Sequence, residues 1–359
     1  MASSGDEIEA LDYDVVIATR NRTDALELSV PLILSQTPPP KKLIVIDSSD
    51  DHAPVSQILA RLTEGWQGQV VIEHSAPGLP YQRNRGLAHV TAPIVIFPDD
   101  DSLLYPETAA ALLAIYARDK DGVVAGVCAA EATDPPPSID LSGHDWMTKG
   151  HRREANLRLG RNRLEKAMSF LKPQLHLGRR LAERHVLPDW LVGLNAVPVE
   201  YMTGFRMSFR TEAIRLTGFD EALGGYALDE DIDASFSALR VGLVVGARQA
   251  RIYHHRFPSG RGDGARLGRM EVLNRLYVGL KHSGHDGLPN GVRASVRRQL
   301  AGFLVAKLLV ALAGARSDFG RARLRGTWGA VLAAGPLWKA TSADLAEAYS
   351  RAFVRAEGR

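Results

Sequence analysis

The chain has 359 residues, of which 45% are hydrophobic and 24% charged, with a formal net charge of +3. These values sit at the globular average and exclude disordered, collagen-like and wholly membrane-embedded classes. A single cysteine, Cys128, excludes an intramolecular disulfide and a multi-cysteine metal centre. Its setting, Val-Ala-Gly-Val-Cys-Ala-Ala, reads as that of a small buried side chain. Residues 1–12 carry acids and no apolar run suited to a secretory signal, so a reducing, cytoplasmic location is expected.

Strand and helix signals alternate from the start. Residues 13–18 read as a buried strand, 23–36 as a helix capped by Thr23, and Lys42–Asp47 as a second strand, with Pro38-Pro39-Pro40 forcing the turn between them. Helices around 55–63, 82–90 and 108–118 and strands at 69–73, 93–97 and 123–130 continue the order. This βαβ alternation predicts an α/β fold, a mostly parallel sheet flanked by helices. From Asp134-Pro135-Pro136-Pro137 an insertion is expected over about 134–200, and within it 149–184 is crowded with Arg and Lys. The sheet pattern resumes at 201–210, 242–245 and 250–253, with a helix over about 231–240. A helical region is expected from 267 to 359, leaving 1–266 as the α/β domain. Its apolar run, 300–315, is short and interrupted by Lys307, so it reads as an amphipathic or core helix rather than a membrane span.

An α/β chain of this size most often binds a nucleotide, so the question is what holds the phosphates. No glycine lies between Gly5 and Gly65, and the first strand–helix turn, Ala18-Thr19-Arg20-Asn21-Arg22, is neither a dinucleotide fingerprint nor a Walker A loop. Gly262-Asp263-Gly264 reads as a mobile surface loop. A divalent cation held by carboxylates is the remaining option. Asp99-Asp100-Asp101 follows a strand directly, at the carboxyl end where open α/β sheets bind ligands. Asp99 and Asp101 can face the same side and suit Mg²⁺ or Mn²⁺. The competing reading makes Asp101 or Ser102 the cap of a following helix.

Taken together these residues resemble glycosyltransferase family 2, the inverting GT-A fold, over about 14–257. The resemblance is carried by Val15-Val16-Ile17-Ala18-Thr19-Arg20-Asn21-Arg22, by Ser35-Gln36-Thr37-Pro38 with Leu43-Ile44-Val45-Ile46-Asp47-Ser48-Ser49-Asp50, by Gln82-Arg83-Asn84-Arg85-Gly86, and by the aspartate triplet. Ser48-Ser49 departs from it, since the family often has aspartate then glycine there. The resemblance implies donor contacts from Thr19, Arg20, Asp47, Arg83, Asp99, Asp100 and Arg261, and a metal held by Asp99, Asp101 and His254, with neighbouring His255 as the other candidate. In Asp229-Glu230-Asp231-Ile232-Asp233 it implies Asp231 as general base and Glu230 as its acceptor-side neighbour, while Asp229 and Asp233 can equally be helix-start charges. Arg256, Arg261, Arg266 and Arg269 are expected as a cover over the diphosphate.

The implied activity is inverting transfer of a sugar from a nucleotide-diphosphate donor to a hydroxyl of a glycan or lipid-linked acceptor, as in polysaccharide biosynthesis. Two other classes are weighed against it. A sugar nucleotidyltransferase would carry a glycine-rich N-terminal signature, which is missing; a non-enzymatic binder of membranes or polyanions would leave both acidic clusters unexplained. No nucleic-acid partner is expected. The basic, Leu-rich stretch 149–184 and the arginines around 300–315 predict peripheral attachment to an anionic membrane surface.

Overall fold

The computed structural model describes residues 11–139, 172–224, 227–256, 263–284, 288 and 291–358. Most of the basic stretch 149–184 lies outside the described residues, as do Arg261 and Gly262. Along the chain come β1 (Tyr13–Thr19), α1 (Thr23–Leu34), β2 (Lys42–Asp47), α2 (Ala53–Leu62), β3 (Gln69–His74), α3 (Leu79–His89), β4 (Ile94–Pro98), β5 (Ser102–Leu104), α4 (Thr108–Arg118) and β6 (Val124–Glu131). There follow α5 (Pro173–Ala182), α6 (Trp190–Gly193), β7 (Ala196–Pro198), β8 (Arg206–Arg210), α7 (Thr211–Thr217), α8 (Glu230–Val241) and β9 (Leu243–His254). The last helices are α9 (Gly264–Ser283), α10 (Val292–Ala313), α11 (Asp318–Ala333), α12 (Gly335–Lys339) and α13 (Leu345–Glu357). The described residues fall into two compact units, one drawn from Met1–Asp140, Ala182–Asp220 and Ala234–Ser259, the other from Leu141–Leu181, Glu221–Asp233 and Gly260–Arg359.

In the first unit β3, β2, β1 and β4 run parallel in that order. Helices cover both faces of this half, which is why β2 and β4 are buried along their whole length and read as unbroken apolar runs. Beyond β4 the sheet is mixed: β8 is antiparallel to β4 and β6, β9 is parallel to β6, and β5 and β7 pair antiparallel with β9. The structure departs from the pattern expected of the sequence in three places. Thr23 is the first residue of α1 and caps nothing, because Arg22 stands at the cap position. The stretch expected as a strand over 201–210 is strand only from Arg206. The two strands expected at 242–245 and 250–253 are one strand, β9, whose pairing with β6 slips between Ala247 and Arg251; the polar Arg248-Gln249 that suggested a break is this irregularity.

Gly86 explains the helix motif before the triplet. A Cβ there would lie 2.2 Å from Cγ1 of Val16, so only glycine lets α3 sit this close to β1.

In the second unit α9 packs against α10, α11 and α13. Asp263 caps α9, its Oδ1 accepting from the Arg266 backbone at 2.7 Å, which corrects the reading of Gly262-Asp263-Gly264 as a mobile loop for the two residues described. The apolar run 300–315 falls largely within α10, where Leu300, Phe303 and Val310 point inward. Among the described residues no helix is long and apolar enough to cross a membrane.

Candidate active site

Strand β4 delivers the aspartate triplet. The chain enters β5 rather than a helix after Asp101, so the helix-cap reading of Asp101 and Ser102 falls. Ser102 instead fixes the turn: its Oγ accepts from the Asp99 backbone at 3.0 Å and donates to the Phe205 carbonyl at 2.9 Å. Each carboxylate then has its own cationic or hydroxyl partner. Asp99 Oδ1 accepts from Arg83 Nη2 at 2.9 Å, and the buried Arg83 also donates to the Gly204 carbonyl at 3.0 Å. Asp100 accepts from Thr19 Oγ1 at 2.8 Å and from Arg22 Nη1 at 2.6 Å. Asp101 accepts from Arg22 Nη2 at 3.3 Å and lies 3.2 Å from His254 Nε2.

The third corner of the site comes from β9. Ser102 pairs with His254 in the β5–β9 ladder, and the His254 ring stacks on Phe205 with centroids 4.4 Å apart. One donor atom each from Asp99, Asp101 and His254 lies within 4.8 Å of the other two. Two carboxylates and an imidazole at this spacing fit a divalent cation. The neighbouring His255 binds the Asp101 carbonyl through its backbone N–H at 3.1 Å, and His254 is the histidine in the group.

The electrostatics follow from burial. Asp100 is pushed up to about 7 by burial, against the opposing pull of Arg22. Burial also raises Asp99, with Arg83 opposing and Asp101 adding. Burial alone would lower the Arg22 guanidinium, but Asp100, Asp101 and Asp99 together raise it. Arg22 is thus the central cation of the triplet, and the sequence reading missed its role. The available signal was its place at the end of the turn that follows β1.

The other expected donor residues are distributed around the ends of the parallel strands. Asp47, fully buried, accepts from the Ser49 backbone at 2.9 Å and from Ser49 Oγ at 2.5 Å, while its other oxygen lies 2.7 Å from His52 Nδ1. The Ser48-Ser49 departure therefore has a structural use, and His52 and His74, whose rings lie 5.0 Å apart, are neighbours that sequence reasoning did not mark. Arg20 is exposed and pairs with Asp50 at 3.0 Å rather than with the triplet. Residues of α3 tie the region together: Gln82 donates to the carbonyls of Thr19 and Ile46 at 3.0 and 2.8 Å, and Asn84 exchanges two 2.8 Å bonds with the Phe219 backbone. Arg261 lies outside the described residues; among the other expected cover arginines, Arg256 pairs with Glu131 and Arg269 with Glu357.

Glu230 and Asp231 belong to the second unit, at the start of α8. Glu230 is buried and Asp231 half-buried. Asp229 and Asp233, weighed above as helix-start charges, are buried and ion-paired to α9: Asp229 with Arg275, and Asp233 with Lys281 and His282.

A parallel α/β half-sheet with a carboxylate–histidine group at the end of its last parallel strand is the arrangement of a GT-A-type fold. Residues 14–182 match the sequence model of glycosyl transferase family 2. Among solved structures, the chain is similar to a mannosyltransferase of Pyrobaculum calidifontis in complex with GDP-Man and Mn²⁺. The identity is 15%, 97% of this chain and 88% of that one are covered, and the TM-score is 0.53. It is also similar to residues 1–349 of TarS from S. aureus, at 12% identity over 97% of this chain and 92% of that one, with a TM-score of 0.50. At such identity the likeness is one of fold. No curated protein matches the chain in sequence.

Proposed function

We propose that this glycosyltransferase is metal-dependent and inverting, moving a sugar from a nucleoside-diphosphate donor to a hydroxyl of a glycan or lipid-linked acceptor. The observation that supports it most is the group Asp99, Asp101 and His254 at the carboxyl end of β4. Mn²⁺ or Mg²⁺ held there would offset the charge of the departing diphosphate. Arg83 and Arg22 keep the carboxylates in place, so the acids need not reorganise when the donor arrives. Asp231 accepts the proton of the acceptor hydroxyl as that oxygen attacks the anomeric carbon; the bond from that carbon to the diphosphate breaks on the opposite face, which inverts the centre. Glu230 lies beside the base on the acceptor side.

The test is binding of UDP and GDP, by calorimetry, with Mn²⁺ and with EDTA. Wild type should bind at least one of them only with Mn²⁺. Asp101→Ala should lose that metal-dependent binding, because a direct carboxylate ligand is gone. Unchanged affinity with and without EDTA in the variant would remove Asp101 from the site.

A second reading concerns location. On α10 and α11 the side chains of Val305, Leu309, Leu312, Trp328 and Leu332 are exposed, Trp328 by 56%, among exposed Arg298, Arg316, Arg321 and Arg325. Of the other arginines expected there, Arg323 is buried against Glu271 and Arg297 donates to the Trp338 carbonyl. Exposed apolar side chains with exposed arginines close by in sequence suit the interface of an anionic leaflet, where a lipid-linked acceptor would reside.

A further inference from the structure

We propose that Arg275 and His282, on α9, are positioning residues for the general base; the inference rests on the reading of Asp231 given above. Asp229, the residue before α8, and Asp233, in its first turn, stand two residues either side of Asp231, and both pair with α9. Arg275 holds Asp229 bidentately, Nε to Oδ2 at 2.8 Å and Nη2 to Oδ1 at 2.6 Å. At Asp233, Lys281 Nζ donates to Oδ2 at 2.8 Å and His282 Nε2 lies 2.8 Å from Oδ1. Arg275 and His282 are seven residues apart and so project from one side of α9.

The backbone ahead of the base needs this hold. Asp229 has φ +74° and Ala227 φ +49°, the left-handed region that costs a non-glycine residue about 1 kcal/mol or more. Between them, the Leu228 carbonyl accepts from Asn274 Nδ2 at 2.6 Å, and Asn274 Oδ1 in turn accepts from the Tyr349 hydroxyl at 2.7 Å. Consecutive residues of α9 thus pin consecutive residues of the strained turn. The Asp229 carbonyl then accepts from the Asp233 backbone at 3.0 Å, which fixes the first turn of α8. Asp229 and Asp233 are 5% and 1% exposed, whereas Asp231, about 200° around the helix from Asp233, is half-buried. Helix α9 grips one side of the turn and leaves the base on the other. A planar, bidentate guanidinium fixes orientation as well as distance, which a lysine ammonium does not.

The experiment measures nucleoside diphosphate released from UDP- and GDP-sugars with Mn²⁺ by wild type, Arg275→Ala, Arg275→Lys, His282→Asn and Asp231→Asn. Because an ångström of misplacement at a reacting group costs about 10²-fold, Arg275→Ala and His282→Asn should lower kcat by about 10- to 100-fold with donor KM nearly unchanged, and Arg275→Lys should recover part of the loss. Arg275 lines a cavity of about 250 Å³ and its side chain is 15% exposed, so lysine fits without displacing neighbours. A second readout needs no turnover: amide hydrogen exchange at residues 227–233 should be faster in Arg275→Lys than in wild type. A wild-type kcat in Arg275→Ala beside an inactive Asp231→Asn overturns the positioning role alone, as does unchanged exchange in Arg275→Lys. A wild-type rate in Asp231→Asn overturns the assignment of the base itself.

Discussion

Asp233→Asn isolates the energetics of the buried contact between α8 and α9. Burial by itself would raise the Asp233 carboxyl, but His282 and Lys281 outweigh it and bring the group down from 3.8 to about 2. At about 1.4 kcal/mol for each unit, that depression is worth about 2 kcal/mol of folding stability. The asparagine keeps the shape and one acceptor, but leaves either fully buried His282 or Lys281 without its carboxylate. Removing one partner of a buried pair costs about 3–5 kcal/mol, and the retained acceptor points to the lower end. The sign with pH follows from the depressed value. The contribution is complete above the unfolded value near 4 and is lost as pH falls through about 2. Urea denaturation followed by far-UV circular dichroism should therefore show the variant about 3 kcal/mol less stable at pH 5–6, with the gap narrowing by about 2 kcal/mol toward pH 2. A gap below about 1 kcal/mol at pH 5–6, or one that widens on acidification, would refute the reasoning.

Asp231→Asn should lower turnover by about 10²-fold or more while UDP or GDP binding with Mn²⁺ persists, since the amide cannot take the acceptor proton; near-normal turnover would place the base elsewhere. Gly86→Ala should destabilise the first unit by about 1–3 kcal/mol in urea, because the new methyl group meets Val16 at 2.2 Å; a neutral effect would mean that α3 can shift away from β1. The protein should co-float with phosphatidylglycerol vesicles at 0.1 M salt and largely leave them near 1 M, as screening shortens from about 10 Å to about 3 Å. Trp328→Ser should weaken that attachment, and failure of wild type to float would sink the membrane reading.

The parallel half of the fold was legible because both faces of its strands are buried, so each strand writes itself as an apolar run between turn residues. Lys42–Asp47 and Thr108–Arg118 were read to the residue. The mixed half was not, and for a local reason. Strands β5 and β7 are three residues long and take their order from β9, which spans twelve residues through an irregular register. A window of sequence sees Arg248-Gln249 as polar punctuation, while the sheet absorbs them as slack.

The site divides along the same line. Groups adjacent in sequence declare themselves: three consecutive aspartates at a strand end have few structural uses, and Asp229-Glu230-Asp231-Ile232-Asp233 announces a helix start rich in carboxylates. Partners supplied by register do not. Arg22 reaches Asp100 across 78 residues, Phe205 meets His254 across the sheet, and Arg275 reaches Asp229 across 46. The choice between His254 and His255 illustrates the difference. Nothing in Tyr253-His254-His255 favours either ring, but adjacent residues of a strand face opposite sides. Once β5 pairs Ser102 with His254, that ring is carried to Asp99 and Asp101, while His255 contributes its backbone N–H to the Asp101 carbonyl. A one-residue slip of β9 would exchange the two roles, so the irregularity between Ala247 and Arg251, far from being a defect in the strand, sets which histidine stands beside the carboxylates.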